Sequence, residues 1–177
     1  MGYIHHYKSP LGGITLMSNG EALTGLWFDE HKYFANTLDK SFKKKDLPIF
    51  EITDKWLDIY FRGNVPDFTP SLLMQTTPFR KAVWKIMLSI PYGKTMTYGE
   101  IAAKIAQQKE LKQMSAQAVG WAVGHNSISL IIPCHRVVGS NGRLIGYASG
   151  ITRKIKLLEL EHINMSNLYM STKGAVL

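Results

Sequence analysis

The sequence Ile131-Ile132-Pro133-Cys134-His135-Arg136-Val137-Val138-Gly139 contains the only cysteine of the chain, followed directly by a histidine and an arginine. The apolar run from Ile128 to Ile132, interrupted only by Ser129, predicts a short buried strand that leads to this cysteine. Pro133 ends the predicted strand and fixes the backbone just before the thiol. The pattern therefore predicts a thiol at a strand-to-turn junction, where a rigid backbone can present the sulfur atom to a pocket.

Two interpretations of Cys134 are open from this stretch. A thiolate is the reactive form of cysteine, and a neighbouring positive charge or a histidine base makes it accessible at neutral pH. A lone cysteine can instead be a buried structural residue that packs as a small hydrophobe. The adjacency of His135 does not decide the question, because successive side chains on an extended backbone point to opposite faces. The decision depends on partners elsewhere in the chain.

Length and composition restrict the class of protein. A chain of 177 residues with 45% hydrophobic residues can bury a core as one large domain or two small ones. The single cysteine excludes an intramolecular disulfide, and the chain has no cysteine cluster that would offer a zinc site. The first eight residues lack the apolar core of a signal peptide, and no apolar run reaches membrane-spanning length. We therefore expect a reducing, cytoplasmic location without membrane contact.

The net charge of +8 is distributed unevenly. Residues 1–77 carry eight Lys and Arg against nine Asp and Glu, whereas residues 78–177 carry thirteen Lys and Arg against four Asp and Glu. The basic excess therefore lies entirely in the half that contains Cys134. It predicts a polyanionic partner, most simply nucleic acid. The alternative is a charged surface that only maintains solubility.

The front half of the chain has the pattern of a small α/β domain. Asn19-Gly20 lies between two β-type runs and is a strong hairpin signal. Residues 65–77 show little periodicity, so we place a domain boundary near residue 77. The predicted strands are residues 3–8, 14–18 and 22–28, and the predicted helices are residues 31–42 and 52–61.

The second half, from residue 78, has the pattern of a mainly helical domain. Thr77-Pro78 is a helix start, and Thr97-Tyr98-Gly99-Glu100 matches a capping box. A further short helix is predicted at residues 115–125, so that two short helices joined by a connector suggest a helix-turn-helix. The domains are therefore residues 1–77 and 78–164, followed by a mobile tail at residues 165–177.

The helix predicted at residues 115–125 has little side-chain bulk, and glycine weakens a helix. One explanation is a close approach to another molecule, such as nucleic acid, and the other is tight packing inside the core. Further along, Leu144 to Gly150 is predicted to be a flexible loop. Thr152 is predicted to cap the last helix, which carries Ile155, Leu158 and His162 on one face. The small residues of the earlier helix are Ala116, Ala118, Gly120, Ala122 and Gly124.

The second half, from about Thr77 to Glu161, resembles the O6-alkylguanine-DNA alkyltransferase family, also called methylated-DNA–protein-cysteine methyltransferases. The motif Ile132-Pro133-Cys134-His135-Arg136-Val137 is the most specific part of the resemblance. The resemblance implies an N-terminal ribonuclease-H-like α/β domain, matched only loosely, and a second domain with a helix-turn-helix of winged-helix type. The other motifs are Ile90-Pro91-Tyr92-Gly93, Thr97-Tyr98, Ala118-Val119-Gly120 and Gly124-His125-Asn126.

The resemblance implies direct-reversal DNA repair. The alkyl group of O6-methylguanine would be transferred irreversibly to the protein's own Cys134, so that each chain repairs one lesion. The partner would be double-stranded DNA that contains O6-alkylguanine, bound through the minor groove with the damaged base flipped out. O4-methylthymine is a second candidate substrate. We expect a monomer that uses neither a metal nor another cofactor.

Five catalytic roles follow from the resemblance. Cys134 would be the nucleophile, and His135 would act as its base through a water molecule. Glu161 would orient this histidine, and Asn126 would brace the turn around the site. Tyr98 would donate its hydroxyl hydrogen to the leaving guanine, which offsets the charge that develops there.

The resemblance also implies a set of DNA and substrate contacts. The backbone at Cys134 and Val137 would read the exocyclic amine of guanine, and Tyr147 and Ala148 would line the loop that closes the pocket. Arg136 would make a structural or a phosphate contact. The full set is Tyr98, Ser115, Ala116, Gln117, Ala118, Gly120, Trp121, Arg136, Val137, Tyr147, Ala148 and Ser149.

Four residues depart from the family pattern. Gln117 replaces a common arginine that fills the gap left by the flipped base, and Trp121 replaces a small residue. If Trp121 faces the groove, its indole must stack or clash. Ser127 replaces a usual proline and Ser149 a usual glycine, and we expect both changes to be mild.

Two other functions compete with alkyl transfer. The first is a non-catalytic sensor of alkylated DNA, as in the alkyltransferase-like proteins, where the cysteine is commonly replaced by tryptophan. The presence of Cys134 argues against it. The second is a thiol hydrolase with a Cys-His pair, which would need an oxyanion hole and gives no reason for the basic half.

We predict that Gln117→Arg strengthens binding to DNA that contains O6-methylguanine. Arginine adds a charge and a planar fork that glutamine lacks, so we expect Kd to fall by about tenfold at low salt. Titration of a labelled duplex at two salt concentrations measures the change. Gln75→Arg adds the same charge in the front half and serves as the control. Unchanged affinity and repair rate in Gln117→Arg would refute the prediction.

Overall fold

The computed structural model describes residues 2–31 and 41–170, which form two compact units. The first unit contains the described residues up to Gln75 together with Ser127–Ile131. The second contains Thr76–Asn126 and the described residues from Ile132 onward. The mixed α/β class predicted from the sequence is confirmed, because the first unit is built on a sheet and the second is mainly helical. None of the described helices is long and apolar enough to cross a membrane.

A four-stranded sheet organises the first unit. Its strands are β1 (Tyr3–Ser9), β2 (Gly12–Ser18), β3 (Leu23–Phe28) and the two-residue β4 (Lys43–Lys44). They lie in the order β3-β2-β1-β4, with β2 antiparallel to both β1 and β3 and with β4 parallel to β1. The three strands predicted in this half are therefore confirmed.

Turn chemistry closes the β2–β3 hairpin. The side-chain oxygen of Asn19 accepts hydrogen bonds from the backbone N–H groups of Glu21 (3.0 Å) and Ala22 (2.9 Å). Gly20 has a φ of +113°, which glycine adopts without the steric cost of a Cβ atom. The Asn-Gly signal is therefore confirmed, within a loop that is longer than the shortest hairpin turns.

Helix α1 (Pro48–Phe61) follows the sheet strands in the first unit and begins four residues before its predicted start. Pro48 lies in its first turn, where a missing N–H costs no helical hydrogen bond. The helix predicted at residues 31–42 falls mostly on residues 32–40, which lie outside the described residues. The buried residues of α1 are Ile49, Phe50, Thr53, Trp56, Leu57 and Tyr60.

The strand predicted for the apolar run before Cys134 is wrong. Only Ile128 pairs with another strand residue, Leu26, and the backbone of Leu26 bonds to Ser127 and Ser129 at 2.9 Å each. Leu130 has a φ of +67°, so the run turns instead of extending. An apolar run reports burial and does not by itself distinguish a strand from a buried turn. These contacts attach the segment to the first unit. The second unit is therefore interrupted in sequence, whereas the prediction was one continuous domain from residue 78.

The described residues of the second unit form four α-helices, which are α2 (Pro78–Leu88), α3 (Tyr98–Gln108), α4 (Ala116–Gly124) and α5 (Ile151–Leu160). The first three of them pack against one another. The indole N–H of Trp84 in α2 donates to the backbone oxygen of Ala122 in α4 at 2.9 Å, which fixes the two helices at their contact. The fully buried residues of these three helices include Val83, Ile101, Ile105 and Val119.

Two helix caps predicted from the sequence are confirmed, at Thr77 and at Thr97. Thr77 accepts a hydrogen bond from the backbone N–H of Arg80, and Thr97 and Glu100 form the predicted capping box. Ser115 caps α4, which was predicted to begin there. The predicted cap at Thr152 is wrong, because α5 is preceded by Gly150 with a φ of +97° and no side-chain cap.

Residues 165–170 are ordered by strand pairing, although the sequence predicted that they belong to a mobile tail. The strand β7 (Arg143–Leu144) pairs in parallel with β8 (Tyr169–Met170), just as β5 (Met96–Thr97) pairs with β6 (Val137–Val138). Met165 and Leu168 pack against the buried cluster around Leu158. Met165 and Leu168 are the apolar residues that could have predicted this packing from the sequence. Residues 171–177 lie outside the described residues.

We predict that Thr97→Ala lowers the free energy of unfolding by about 1 kcal/mol, because it removes the cap oxygen from α3. Chemical denaturation followed by helical circular dichroism measures the difference. Thr97→Ser keeps the oxygen and should retain most of the stability. Equal destabilisation by alanine and serine would show that the hydroxyl contributes nothing.

Candidate functional site

Cys134 lies at the start of a single 3₁₀ turn, Cys134–Arg136, between the turn segment described above and β6. Its side chain is buried, with 8% of the residue exposed, and its backbone N–H bonds to the oxygen of Ile132 at 2.9 Å. The carboxamide of the buried Asn126 donates to the same Ile132 oxygen at 2.7 Å. The nucleophile candidate is therefore held by a tied backbone, although on a 3₁₀ turn and not at the end of a strand.

The carboxylate of Glu161 binds the two residues that follow Cys134. Its Oε1 atom lies 2.6 Å from Nε2 of His135, and its Oε2 atom accepts from Nε of Arg136 at 2.8 Å. A second guanidinium nitrogen, Nη2, donates to Oε1 at 3.0 Å, so the arginine contact is bidentate. The backbone N–H of Gly93 adds a donor to Oε2 at 3.2 Å. The imidazole, the carboxylate and the guanidinium thus form one buried network.

The protonation states in this network follow from burial and charge. Burial alone would raise the pKa of Glu161, but the hydrogen bonds and charges of His135 and Arg136 outweigh burial and lower it to about 2. Burial lowers the pKa of His135, and the positive charges of Arg136 and Lys154 lower it further against the opposing effect of Glu161. We conclude that a neutral imidazole donates its Nε2 hydrogen to an ionised carboxylate. Nδ1 is then the basic ring nitrogen.

Arg136 is engaged through each of its three side-chain nitrogens. Besides the two contacts to Glu161, its Nη1 atom donates to the backbone oxygen of Ile90 at 2.7 Å. The residue is 9% exposed. Of the structural and phosphate roles that the sequence left open, these contacts support the structural one. Among the described residues, no group of three or more His, Cys, Asp or Glu side chains is placed to hold a metal ion.

Tyr98 is the first residue of α3. Its hydroxyl donates to the backbone oxygen of Ile145 at 3.4 Å. Burial raises the pKa of Tyr98, and the charge of Cys134 raises it further. The hydroxyl therefore keeps its hydrogen at neutral pH and can serve as a donor.

The loop after β7 carries two further hydroxyl groups. Tyr147 Oη and Ser149 Oγ are buried and have no hydrogen-bond partner among the described residues, and Ala148 between them is half-buried. Burial raises the pKa of Tyr147, and the charge of Cys134 adds to the effect, which places this residue near the thiol. A buried hydroxyl without a partner is costly. These two hydroxyl groups therefore have hydrogen-bonding capacity that the described residues do not use.

Helix α4 combines a buried side with an outer surface of small and polar residues. Residues Ser115, Ala116 and Gln117 are exposed, and Ala118 and Gly120 are half-buried. A Cβ atom built on Gly124 would meet no atom within 4 Å, and one on Gly120 would make only ordinary contact with the Tyr98 ring at 3.9 Å. The protein's own packing therefore does not require these glycines. This favours the close approach of another molecule over tight core packing.

Trp121 points outward from α4 and is 61% exposed. Its ring stacks on that of His125, with centroids 5.2 Å apart and planes 19° from parallel. Gln117, Trp121 and His125 are four residues apart along the helix and so lie on one stripe. The aromatic pair thus lies beside the small residues of α4.

Sequence reasoning missed Lys154, which is fully buried at 0% exposure. Its ammonium nitrogen bonds to the backbone oxygens of Val137, Ile145 and Gly146. A signal was present, because Lys154 lies four residues before Leu158 and seven before Glu161 in helical spacing. The predicted apolar face of α5 is confirmed at Leu158, which is buried, and at Ile155, which packs against the same cluster.

We predict that the free energy of unfolding falls at acidic pH, because Glu161 becomes protonated there. Its pKa is about 4.5 unfolded and about 2 folded, so the stabilisation is complete above pH 4.5 and is lost as pH falls through 2. The full difference corresponds to about 3 kcal/mol, of which about 2 kcal/mol is lost by about pH 3. Unfolding free energies measured at about pH 6 and about pH 3 should show this loss in the wild type and in Glu159→Gln, whose site is exposed. An equal loss in Glu161→Gln would contradict the assignment.

The whole chain matches known proteins along nearly its full length. Residues 3–73 match the family described as 6-O-methylguanine DNA methyltransferase, ribonuclease-like domain, and residues 78–163 match its DNA binding domain. A methylated-DNA–protein-cysteine methyltransferase of Mycobacterium tuberculosis is 42% identical over 159 residues, covering 88% of this chain and 92% of the relative. One from Methanosarcina mazei is 40% identical over 163 residues, covering 92% and 99%.

Solved structures agree with these sequence matches. The crystal structure of Mycobacterium tuberculosis OGT in complex with DNA superimposes with a TM-score of 0.77 at 40% identity, covering 94% of each chain. An O6-methylguanine DNA methyltransferase from Methanococcus jannaschii gives a TM-score of 0.62 at 28% identity, covering 97% of this chain and all of the other. The fold, the matched domains and the relatives agree: the chain belongs to the methylated-DNA–protein-cysteine methyltransferase family of DNA-binding repair enzymes.

Proposed function

We propose that the protein transfers the alkyl group of O6-methylguanine in DNA irreversibly to Sγ of Cys134. One observation carries the proposal: the residue after the chain's only cysteine is a buried histidine whose Nε2 lies 2.6 Å from an ionised carboxylate. A histidine held in this way keeps a fixed tautomer and presents its other nitrogen as a base. This arrangement supports the nucleophilic interpretation of Cys134 over that of a structural cysteine.

The transfer step is a displacement at the alkyl carbon. His135 takes the thiol proton through a water molecule, and Glu161 stabilises the imidazolium that forms. The thiolate then forms the S–C bond while the bond between this carbon and guanine O6 breaks, and the electron pair passes to the guanine. Tyr98 donates a hydrogen bond to the leaving guanine and so offsets the developing negative charge, and the guanine becomes neutral by taking up one proton, equivalent to the one that His135 removed from the thiol. Asn126 holds the turn that carries the sulfur.

Burial of the thiol requires the damaged base to leave the duplex. Cys134 is 8% exposed, so its sulfur cannot reach a guanine that remains stacked in DNA. Extrusion of the base costs a few kcal/mol and brings the reacting carbon to the protein. The carbonyls at Cys134 and Val137 then accept from the guanine amine, and Tyr147, Ala148 and Ser149 line the other side of the base.

Helix α4 is the part of the second unit that we assign to the minor groove. This groove is about 6 Å wide, so a helix that approaches it closely needs small side chains. The outer surface of α4 provides them at Ala116, Ala118 and Gly120, with Ser115 and Gln117 as polar contacts. Trp121 stacked on His125 lies at the edge of this surface and is available to stack or to pack against the backbone of DNA. The basic excess of residues 78–177 supports phosphate contacts.

The chemistry limits each chain to one lesion. A thioether has no easy leaving group, so alkylated Cys134 does not regenerate. A monomer suffices, because every residue assigned a role lies in the second unit of one chain. O4-methylthymine presents the same kind of alkyl oxygen and is the second candidate substrate.

A sensor of alkylated DNA is the competing function. It would require the α4 surface but neither a nucleophile nor a base. The contact between His135 and Glu161 beside Cys134 favours transfer over sensing. A thiol hydrolase would use the same pair, but it leaves the small outer surface of α4 without a purpose.

We predict that incubation with an oligonucleotide containing O6-methylguanine adds the mass of one methyl group in place of one hydrogen. Intact-mass spectrometry measures the gain, and peptide mapping should locate it at Cys134. Cys134→Ser should bind the same DNA and show no gain, and the unmethylated oligonucleotide should leave the wild type unchanged. Tight binding without a mass gain in the wild type would support the sensor, and multiple turnover on an ester would support the hydrolase.

A further inference from the structure

Lys154 is a buried cation to which the proposed reaction gives no role. It lies in α5 and is 0% exposed. Its Nζ atom donates to the backbone oxygens of Val137 (2.5 Å), Ile145 (3.0 Å) and Gly146 (3.2 Å). Val137 follows the 3₁₀ turn that begins at Cys134, and Ile145 and Gly146 begin the loop that leads to Tyr147. A single side chain therefore joins the nucleophile segment to the loop across from it.

The geometry indicates that Lys154 is charged. A protonated lysine has three hydrogens to donate and no acceptor, which matches three carbonyl oxygens around one nitrogen. A neutral amine has only two hydrogens and a lone pair, so one carbonyl would face that lone pair. Burial lowers the pKa of Lys154 to about 8, and the charge of Cys134 opposes this effect. The ammonium form therefore still predominates at neutral pH.

The two buried cations of the site have different partners. Arg136 is paired with the carboxylate of Glu161 through two hydrogen bonds. In the described residues, Lys154 donates only to backbone carbonyl oxygens and to no carboxylate. The ionisable group that favours its charged form is Cys134. A buried charge is stable only when it is compensated. A thiolate at Cys134 would compensate this one.

We propose that Lys154 is a positioning residue that acts as the counter-ion of the Cys134 thiolate and holds the Ile145–Gly146 backbone beside it. This inference deepens the proposed function and rests on it for its catalytic meaning. The carbonyl of Ile145 also accepts from the Tyr98 hydroxyl at 3.4 Å. Lys154 thus connects the charge that stabilises the attacking sulfur to the backbone that orients the proton donor. Since thiolate is the attacking form, the ammonium raises its population without touching the DNA.

Of the charged groups in the described residues around Cys134, Arg136 and Glu161 are paired with each other, whereas Lys154 donates only to backbone oxygens. The two tyrosines keep their protons because burial and the cysteine charge raise their pKa values, and His135 is neutral because burial lowers its pKa. Among the described residues, the ionisable groups on the elements around the thiol include Tyr98 of α3, His135 and Arg136 of the 3₁₀ turn, Tyr147 of the loop, and Arg153, Lys154 and Glu161 at α5.

The pH dependence of thiol alkylation by iodoacetamide tests the inference. The chain has one cysteine, so intact mass reports on Cys134 alone. We expect Lys154→Gln, which keeps polar hydrogens but removes the charge, to raise the pH midpoint of alkylation by about one unit. Lys154→Arg should restore a midpoint close to that of the wild type. Lys156→Gln, an exposed position on the same helix, should leave it unchanged. An unshifted midpoint in Lys154→Gln overturns the inference.

A second measurement needs no change at Lys154, whose variants lose buried hydrogen bonds. The pKa of Lys154 can be followed by the ¹³C chemical shift of its Cε atom in the wild type and in Cys134→Ala. Since the interaction is mutual, removal of the thiolate should lower the pKa of Lys154 by about as much as loss of the ammonium raises that of the thiol. An unchanged pKa in Cys134→Ala overturns the inference.

These outcomes are separate from the test of the proposed function. Iodoacetamide reports on the ionisation of the thiol whether or not the protein acts on alkylated DNA. A shifted midpoint in a protein that gains no methyl group from DNA would support the counter-ion and refute the repair step. A methyl gain with an unshifted midpoint would refute the counter-ion alone.

Discussion

The carboxylate of Glu161 is the interaction on which the site depends. It lies at the C-terminal end of α5 and binds two consecutive residues of the turn that carries Cys134. Removing one member of such a buried pair leaves a charge without compensation, which costs about 3–5 kcal/mol. The contact therefore fixes both the position of the turn and the protonation of His135. The two oxygen atoms of this carboxylate therefore hold both the structure and the chemistry of the site.

The 3₁₀ turn explains how adjacent residues can act on one site. On an extended backbone, the side chains of Cys134 and His135 would point to opposite faces, which made their adjacency uninformative in the sequence. In the turn, His135 and Arg136 both reach Glu161, while Cys134 remains near Tyr98 and Tyr147. The apolar run before Cys134 predicted a strand because it records burial, and burial is also what this irregular segment requires.

Local signals in the sequence predicted local structure well. The Asn19 hairpin turn and the capping box at Thr97 depend on atoms a few residues apart, so their geometry is present in the sequence itself. The family resemblance named Glu161 as the partner of His135, which spacing alone could not do for residues 26 positions apart. Lys154 remained hidden because its three acceptors come from two other segments, and only the tertiary fold brings them together. The strand at Tyr169 was missed for the same reason.

The second unit contains two features that lower the free energy of unfolding of a protein domain. Gly120 in the interior of α4 costs an α-helix about 1 kcal/mol relative to alanine, and no packing contact inside the protein requires it. Lys154 places a charge in the core, where an apolar side chain would be more stable without other constraints. Local choices that conflict with stability tend to occur where function demands them. Gly120 lies on the surface that we propose for DNA, and Lys154 binds the backbone next to the turn that carries Cys134, so each conflict lies in a part of the proposed site.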